Sequence, residues 1–397
     1  MRVGIDATCW SNPRGYGRYA RGLLTALVAE SSPHDFILFV DASTRADPRW
    51  PMPLQAQYVV VPTAEAPARA ASAAGSRSLR DVWAMSTAVA RTPLEVMFYP
   101  SVYTYFPALT RARTVLGVHD VIAEDYPRLV FPDARGRVLW RLKGWLAHRQ
   151  ADYVVAVSDH AKAGILRRFG HRPDRVWVVS EAPDPAFRPV ENAGAVERAL
   201  ARHGLAMSER FIVCLGGLNP HKNLDMLLEV VAGLRREARF GDLRLALIGP
   251  AESDIFTPGA SQTRLTAARL GLDGAVRITG YLPDDEVACL LSAARALALP
   301  SFDEGFGLAA IEAAACGTPV IATRNSPLPR LLEGGGFFLD PTQPEAWRRA
   351  LAEILDDEGL CARLGRTARE QARRLTWRQS AGQMLGLLDV IAAHHRT

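Results

Sequence analysis

Residues 296–312 read ALALPSFDEGFGLAAIE, and this stretch is the strongest indication of the fold class. The apolar run Ala296–Leu299 is typical of a strand buried on both faces of a parallel sheet. Pro300 ends the strand, a glycine-rich turn follows, and the apolar residues after it predict a helix over Phe306–Cys316. Because a strand, a short turn and a helix form part of a βαβ unit, the stretch predicts a doubly wound α/β domain.

The same alternation extends over both halves of the chain. Short apolar runs predict strands at Arg2–Asp6, Phe36–Val40, Tyr58–Val61, Val96–Tyr99, Thr114–Val118, Tyr153–Val157, Val176–Val179, Phe211–Leu215, Leu243–Ile248, Val276–Thr279, Ala296–Leu299, Val320–Ala322 and Phe337–Leu339. Helical periodicity predicts helices at Tyr16–Glu30, Ser76–Ala90, Asp133–Gln150, Ser158–Phe169, Leu224–Ala238, Asp284–Ala294, Phe306–Cys316, Pro344–Leu355 and from Glu358 onward. We therefore predict two parallel sheets, each covered by helices on both faces.

A proline-rich segment separates the two halves. Pro183, Pro185 and Pro189 are followed by Asn192 and Gly194, which is typical of a linker. We predict an N-terminal domain over residues 1–187, joined by a C-terminal helix at about 380–397, and a C-terminal domain over residues 188–379. Because ligands bind beyond the carboxyl ends of parallel strands, the expected active site is a cleft across which the two sheets face each other.

Composition excludes several classes of protein. The net charge of +5 is spread without a run of five Lys or Arg, so no nucleic-acid partner is expected. Five cysteines without a C-x-x-C pair predict neither a disulfide framework nor a zinc site and fit a cytoplasmic protein. No apolar stretch reaches the roughly 18 residues of a membrane span, and the N-terminus resembles a strand rather than a signal peptide. The Ala-rich stretch 64–76 is predicted to be a mobile loop.

The turn in the opening stretch carries the strongest chemical signal. The N-terminus of a helix presents backbone N–H groups and the positive end of its dipole, which suits a diphosphate. Gly305 and Gly307 let a ligand approach the backbone closely. Glu304 precedes the helix, and Glu312 lies about 9 Å along its axis at 1.5 Å per residue. The two carboxylates can therefore bind hydroxyl groups on either side of a diphosphate, which is the layout of a nucleotide sugar.

Three other segments place polar side chains next to strands. Lys222 follows a strand and a Gly-Gly turn, so its charge can reach a phosphate. His119 ends the run after Thr114–Val118, where it can bond a sugar hydroxyl or the reacting centre. The segment Gly15–Arg18 joins the first strand to the first helix and can bind phosphate or control access of an acceptor. No Asp-x-Asp motif lies in a suitable loop, so no catalytic metal or other cofactor is expected.

Together these motifs resemble those of the retaining glycosyltransferases of family 4, which have the GT-B fold. The resemblance extends over nearly the whole chain and rests on five segments: Glu304-x7-Glu312, Gly216–Leu224, Cys316–Ala322, Val118–Asp120 and Gly15–Tyr19. It implies a hexosyltransferase that uses a nucleotide diphosphate-sugar and retains the configuration of the sugar. The acceptor hydroxyl is then expected to attack the face from which the nucleotide leaves, and no protein nucleophile is expected.

The resemblance also implies roles for individual residues. Glu304 contacts the donor sugar, Glu312 binds the ribose, and the backbone of Phe306, Gly307 and Leu308 holds the diphosphate. The full set of expected site residues comprises the catalytic pair His119 and Glu304, the donor-binding residues Gly217, His221, Lys222, Glu304, Gly305, Phe306, Gly307, Leu308 and Glu312, and the acceptor or phosphate loop Gly15, Tyr16, Gly17 and Arg18.

The chain departs from the family pattern in the donor site. Many relatives carry an Arg at the position of Gly216 or Gly217, some carry an Arg at His221, and many carry an acidic residue near Arg330. The missing positive charge is therefore expected from another arginine, and Arg18, Arg324 and Arg330 are candidates. The segment around Lys222 is similar to that of bacterial mannosyl- and rhamnosyltransferases, which implies a GDP-mannose-type donor. A UDP- or TDP-sugar stays open.

The acceptor and the alternatives follow from the same resemblance. The expected acceptor is a saccharide, a lipid-linked saccharide or a natural product. A nucleotide-sugar epimerase on the same fold is one alternative function, and a non-catalytic binding partner is another. Loss of donor hydrolysis or transfer in Glu304→Ala would separate these from a transferase.

One helical segment has an unusual composition. Asp133–Gln150 combines five basic residues with the apolar residues Leu139, Trp140, Leu142, Trp145 and Leu146. A basic amphipathic helix with tryptophan can lie on an anionic membrane, which would suit a lipid-linked acceptor at the inner face of the membrane. The interpretation favoured by the sequence is a helix that packs its apolar residues into the core and exposes a basic face.

Overall fold

The computed structural model describes residues 1–64, 78–131, 133–249 and 259–395. Apart from Ala64, the predicted mobile loop lies outside the described residues. The chain divides into two compact units, Met1–Ala182 with Thr376–Thr397, and Pro183–Leu375. The sequence predicts a division between residues 187 and 188, and the structure has it between Ala182 and Pro183. The chain returns to the first unit at Thr376, where the sequence predicts a return at about residue 380.

The first unit contains a parallel sheet of seven strands in the order β3-β2-β1-β4-β5-β6-β7. Its strands are β1 Arg2–Asp6, β2 Asp35–Asp41, β3 Gln57–Val61, β4 Val96–Tyr99, β5 Arg113–Val118, β6 Tyr153–Ala156 and β7 Val176–Val178. Its described helices are α1 Gly15–Ala29, α2 Ala42–Arg45, α3 Leu79–Arg91, α4 Ile122–Asp125, α5 Pro127–Val130, α6 Ala134–Gln150 and α7 Asp159–Phe169. The terminal helix described below completes the unit.

The second unit contains a parallel sheet of six strands in the order β10-β9-β8-β11-β12-β13. Its strands are β8 Phe211–Leu215, β9 Arg244–Ile248, β10 Val276–Gly280, β11 Ala296–Leu299, β12 Val320–Thr323 and β13 Gly336–Leu339. Its described helices are α8 Ala193–Arg202, α9 Leu224–Arg235, α10 Gly259–Arg269, α11 Asp284–Ala293, α12 Leu308–Ala315, α13 Leu328–Leu331, α14 Pro344–Asp356 and α15 Glu358–Ala372.

The strand register shows where each sheet reverses its direction of growth. In the first sheet Val3 of β1 is paired with Phe36 on one side and Val96 on the other. In the second sheet Ile212 of β8 lies between Leu245 and Ala296. Helices leave opposite faces at such a switch point, so the loops at the carboxyl ends of its two strands leave a crevice between them.

Buried apolar side chains hold each unit together. In the second unit Leu227 of α9, Leu245 and Leu247 of β9, and Trp347 of α14 belong to one core cluster. These strands are apolar on both faces because helices cover both faces of the sheet. The two all-parallel Rossmann-like units confirm the predicted α/β fold class.

The C-terminal helix α16, Trp377–His395, belongs to the first unit rather than continuing α15. The sequence predicts helix from about Glu358 onward and a C-terminal helix at about 380–397 that joins the first unit, and the structure separates α15 from α16 at residues 373–376. Thr376 and Gln379 form a reciprocal capping box: Gln379 N–H donates to Thr376 Oγ1 at 3.2 Å, and Thr376 N–H donates to Gln379 Oε1 at 3.2 Å. This box starts a new helix, and Gly22 of α1 leaves room for the indole of Trp377.

The predicted linker also contains regular structure. Gly194 lies in the first turn of α8, and the side chain of Asn192 caps that helix by accepting from Ala195 N–H at 3.0 Å. The linker prediction therefore extends too far, because an Asn before a helix is a good N-cap as well as a loop residue. None of the described helices combines the length and the hydropathy that crossing a bilayer requires.

Candidate functional site

The strand order brings two of the predicted motifs together in the second unit. β8 and β11 are neighbours at the switch point, and the chain leaves them as the segments 216–223 and 300–307. Phe302 N–H donates to the carbonyl of His221 at 3.0 Å, which joins the two segments directly. The crevice expected at a switch point is therefore lined by the lysine segment and the glutamate segment.

Lys222 and Glu304 form an ion pair in this crevice. Lys222 Nζ lies 2.6 Å from Glu304 Oε1, although the two residues are 82 positions apart in the chain. The hydroxyl of the fully buried Ser301 donates to the same carboxylate oxygen at 2.6 Å. Because Glu304 accepts both bonds on one oxygen, its carboxylate is held by a charge and a hydroxyl together.

Two asparagines hold the backbone around this pair. Asn223 has a left-handed conformation with φ of 56°, and its Nδ2 donates to the carbonyls of Pro300 and Pro341 at 3.2 and 2.8 Å. Asn325 Nδ2 donates to the carbonyl of Phe302 at 3.0 Å, and its own carbonyl accepts from Glu304 N–H at 3.0 Å. The sequence prediction did not include Ser301, Asn223 or Asn325 as site residues, although short polar residues beside strand ends are a usable signal.

Helix α12 begins at Leu308, two residues later than the predicted start at Phe306. Gly307 precedes it with φ of 83°, and a Cβ there would lie 2.7 Å from Leu328, so only glycine fits. Among the described residues, the N–H groups of Leu308 and Ala309 have no hydrogen-bond acceptor, whereas Ala310 N–H donates to Gly307 O at 2.9 Å. The first turn of α12 therefore offers two backbone donors to an anion.

The two glutamates of the motif are both withdrawn from bulk solvent. Glu304 is 9% exposed and Glu312 is 4% exposed. Because α12 begins at Leu308, Glu312 is the fifth residue of the helix and lies about 6 Å along its axis from the first, less than the 9 Å expected from the sequence.

The structure also shows the surroundings of two arginines that the sequence offered as phosphate ligands. Arg324 Nη2 pairs with Asp340 Oδ2 at 2.6 Å, and Arg330 is exposed on α13. Burial raises the pKa of the neighbouring Cys214 thiol to about 12, so this group stays protonated at neutral pH. In the described ranges, no three His, Cys, Asp or Glu side chains are grouped as ligands of a metal ion.

His119 lies in the first unit, at the carboxyl end of β5. Its Nε2 lies 2.9 Å from the carbonyl of Pro100, and its Nδ1 lies 3.2 Å from Glu181 Oε1. Burial by itself would lower the pKa of His119, but the hydrogen bond and charge of Glu181, together with the Pro100 carbonyl and the charge of Asp120, raise the pKa above 6.5. The Pro100 carbonyl and an ionised Glu181 carboxylate are both acceptors, so this environment favours the ring with a proton on each nitrogen.

Glu181 is a further residue that the sequence prediction did not include. It lies three residues after the end of β7, it is buried, and its charge also raises the pKa of Tyr19, after the larger effect of burial. The Tyr19 ring meets the His119 ring edge-on with 4.7 Å between centroids. An acidic residue at the carboxyl end of the last strand of the sheet is the signal that could have identified it.

The charged state of His119 predicts a pH-dependent contribution to stability. Since the native pKa is raised above 6.5, the contribution should be complete below about pH 6.5 and should be lost as pH rises through the native pKa. In thermal denaturation across this pH range, the Tm of wild type should therefore exceed the Tm of His119→Gln by the largest amount at the acid end. His394→Gln on the exposed end of α16 is the control, and a constant difference between wild type and His119→Gln would contradict the charged pair.

The segment Gly15–Arg18 is not the loop that the sequence predicted. All four residues lie in the first turn of α1, and Arg14 is the N-cap. Tyr16 is buried, its hydroxyl accepts from Asn12 Nδ2 at 2.6 Å, and its ring stacks on Tyr103 at 5.1 Å. A side chain at Gly17 would collide with the backbone of Asn12, so close packing explains this glycine.

Two family models match adjacent parts of the chain. The model described as glycosyltransferase family 4 matches residues 13–187, and the model described as glycosyl transferases group 1 matches residues 196–371. The first match lies mainly in the first unit, and the second lies wholly in the second unit.

The chain belongs to the family 4 glycosyltransferases.

Its sequence is similar to D-inositol 3-phosphate glycosyltransferases of Corynebacterium glutamicum and Salinispora tropica. The enzyme from Corynebacterium glutamicum (strain R) is 34% identical over 245 residues, which cover 61% of this chain and 58% of the relative. The enzyme from Salinispora tropica is 34% identical over 258 residues, which cover 62% of this chain and 53% of the relative. The matched part of this family 4 chain thus spans little more than half the length of these curated relatives.

Solved structures with the same fold are more distant in sequence. The sucrose-phosphate synthase from Thermosynechococcus elongatus has a TM-score of 0.75 at 19% identity, covering 99% of this chain and 100% of that chain. HepE from Anabaena in complex with UDP-glucose has a TM-score of 0.73 at 18% identity, covering 98% and 99%. These likenesses confirm the predicted GT-B fold for this family 4 chain.

Proposed function

We propose that this chain transfers a hexose from a nucleotide diphosphate-sugar to an acceptor hydroxyl, and that the second unit binds the donor. The observation that carries the proposal is the Lys222–Glu304 ion pair, which lies next to the first turn of α12 at a sheet switch point. A cation, two free helix amides and a carboxylate are the groups that a diphosphate and an adjoining sugar require.

Each group has a distinct role in the proposed donor complex. The N–H groups of Leu308 and Ala309 donate to the diphosphate, and Lys222 supplies a positive charge to it. Glu304 accepts from hydroxyls of the sugar, and Glu312 accepts from the ribose. Phe306, Gly307, Gly305, Gly217 and His221 form the adjoining backbone. As the glycosidic bond breaks, the amides and Lys222 stabilise the negative charge that develops on the leaving diphosphate.

Donor binding requires Lys222 to change its interactions. Its Nζ is 2.6 Å from Glu304 in the structure, so a phosphate oxygen competes with this carboxylate for the same ammonium group. The Ser301 hydroxyl keeps its bond to Glu304 while the lysine turns to the phosphate, and the carboxylate then gains capacity for a sugar hydroxyl. The ion pair therefore holds both charged side chains in the crevice before the donor binds.

His119 has a narrower role in this proposal than the sequence suggested. Both ring nitrogens have protein partners, so His119 organises the end of β5 together with Glu181 and Pro100. An acceptor or sugar hydroxyl would have to displace one of these two bonds to reach the ring. We retain His119 as a candidate catalytic residue through that displacement, and the backbone at Gly15–Arg18 as a candidate acceptor contact.

The identity of the donor and acceptor is also part of the proposal. GDP-mannose is the first donor to test, and UDP-glucose is the second because HepE binds it. A phosphorylated inositol joins saccharides, lipid-linked saccharides and natural products as a candidate acceptor because of the names of the curated relatives. We propose transfer with retention of configuration and without a metal, so that a chelator leaves the rate unchanged. We further propose that transfer takes place in the cytoplasm.

A thermal-shift panel tests donor binding directly. GDP, UDP, TDP and ADP, each alone and as its sugar, are added to wild type, Lys222→Ala and Glu333→Gln. A ligand at 100 times its dissociation constant should raise the free energy of unfolding by about 2.7 kcal/mol. We expect the nucleotides of one base to stabilise wild type but not Lys222→Ala. Glu333→Gln changes an exposed residue and serves as the control, so it should be stabilised like wild type.

The outcomes of this panel separate the transferase from its alternatives. Stabilisation by no nucleotide would contradict the proposal. Binding without turnover of any donor would favour a non-catalytic partner, and conversion of the donor sugar without an acceptor would favour an epimerase.

A further inference from the structure

Helix α6 carries basic residues and no acidic residue. Between Ala134 and Gln150 it contains four arginines and one lysine, whereas Asp133, which caps it, lies just outside. Lys143 Nζ donates to the carbonyl of Tyr103 at 2.7 Å and so faces the body of the unit. The arginines are therefore the charges that α6 presents to its surroundings.

The buried face of α6 consists mainly of small residues. Gly136, Trp140, Gly144 and Ala147 are buried, at spacings of three and four positions. Trp140 anchors the helix, since its ring lies 5.1 Å from the Tyr103 ring and its Nε1 donates to Glu124 Oε1 at 2.7 Å. Apart from Trp140, this face therefore places no large apolar side chain against the unit, and a Cβ at Gly144 would meet nothing within 4 Å.

The large apolar residues of α6 point outward instead. Val138 is 63% exposed, Leu142 is 53% exposed and Trp145 is 62% exposed, with Leu139 and Leu146 beside them. These positions recur at three- and four-residue intervals and so form one stripe along the helix. The favoured sequence interpretation, in which these leucines and Trp145 pack into the core, is wrong.

Arginines flank this apolar stripe without acidic partners. Arg137, Arg141 and Arg149 make no ion pair with any residue in the described part of the chain. By contrast, the nearby Arg167 and Arg168 both pair with Asp125. Charges left unpaired next to exposed apolar side chains favour a partner that supplies both anions and an apolar interior.

A cavity of about 1080 Å³ opens beside the stripe, entirely within the first unit. Arg137, Arg141 and Arg149 line it together with Trp145, and its one acidic lining residue is Glu124. Burial raises the pKa of Glu124 to about 7, and its carboxylate already accepts from Trp140. The charges around this cavity are thus mainly positive, which suits a phosphate head group.

We propose that α6 docks this protein on the surface of an anionic phospholipid bilayer. Val138, Leu142 and Trp145 insert at the boundary between head groups and acyl chains, and the arginines contact lipid phosphates at the mouth of the cavity. A helix with this charge and stripe matches a bilayer better than a protein surface, because the bilayer offers phosphates along its whole length. Membrane docking by α6 is independent of donor binding, because the proposed donor site lies in the second unit.

Vesicle sedimentation tests the proposal on the full chain. Vesicles of phosphatidylcholine alone are compared with vesicles containing one-third phosphatidylglycerol. We expect wild type to bind only the anionic vesicles and to dissociate at high salt. Removing charge in Arg137→Gln/Arg141→Gln/Arg149→Gln should weaken the partition coefficient about fivefold per arginine, or about 100-fold in all.

Two matched controls distinguish this surface from net charge and general hydrophobicity. Arg91→Gln/Arg111→Gln/Arg363→Gln removes the same charge elsewhere and should bind like wild type. Leu142→Ser/Trp145→Ser should weaken binding at least about tenfold, whereas Leu54→Ser/Leu109→Ser, at other exposed leucines, should not.

Several results would overturn the proposal. One is equal binding of wild type to neutral and anionic vesicles. Another is binding of the α6 variants to anionic vesicles that is as strong as that of wild type. A third is a loss of vesicle binding that is as large in the control variants as in the α6 variants. Thermal denaturation verifies that each variant is folded. Since the nucleotide thermal shift should be the same in wild type and the α6 variants, failure of membrane docking is distinguishable from failure of donor binding.

Discussion

Glu304→Gln is expected to lower kcat/KM for glycosyl transfer by about 100- to 1000-fold, the usual effect of removing one preorganised charged group from a reacting centre. The Glu304 carboxylate forms an ion pair with the Lys222 ammonium, with 2.6 Å between Oε1 and Nζ. A glutamine keeps the shape and the bond from Ser301 but removes the charge. Its amide can also turn toward Lys222, which would repel the ammonium. The measurement is a steady-state rate with the donor found by thermal shift.

Two comparisons define what this result means. Glu333→Gln removes an exposed carboxylate from the same unit and should retain the wild-type rate. Ser301→Ala removes one of the two bonds to Glu304 while keeping the charge, so an intermediate loss is expected. Should Glu304→Gln fold normally and retain more than about a tenth of the wild-type rate, Glu304 would not be part of the reacting centre.

Lys222→Ala is expected to abolish most of the donor stabilisation seen by thermal shift and to lower kcat/KM by about 100-fold or more. Its charge is paired with Glu304, which lies four residues before the start of α12, and removing it leaves the Glu304 carboxylate buried without its ion-pair partner. A negative charge left in this position repels a diphosphate. The loss should therefore appear both in donor affinity and in the rate at saturating donor.

The chain offers a close control because it contains only three lysines. Lys162→Ala, on α7 of the first unit, should bind and turn over donor like wild type. Lys222→Arg should recover little, since the planar guanidinium is larger and cannot reproduce a single ammonium contact within this crevice. Donor affinity that is unchanged in Lys222→Ala would remove the diphosphate from the proposed position.

Most of the fold could be predicted from the sequence because its strands are continuous apolar runs bounded by turn residues. Arg2–Asp6, Val96–Tyr99, Phe211–Leu215 and Ala296–Leu299 were predicted to the residue. Short helices such as α2, α4 and α13 were missed, since four residues carry too little periodicity to distinguish a helix from a turn. Helix α16 begins at Trp377, a few residues before the predicted C-terminal helix at about 380–397, although Thr376 and Gln379 have the spacing of a capping box that the sequence itself contains.

The two parallel sheets, the family and the segments at which polar residues follow strands could all be inferred from the sequence. Which of these residues meet depends on the three-dimensional fold. Strand order made β8 and β11 neighbours and brought Lys222 onto Glu304, and it placed Glu181 against His119. It also decided that α6 buries its small residues and exposes its large ones. Local periodicity shows that a helix has two faces, but the space left by the neighbouring elements determines which face turns inward.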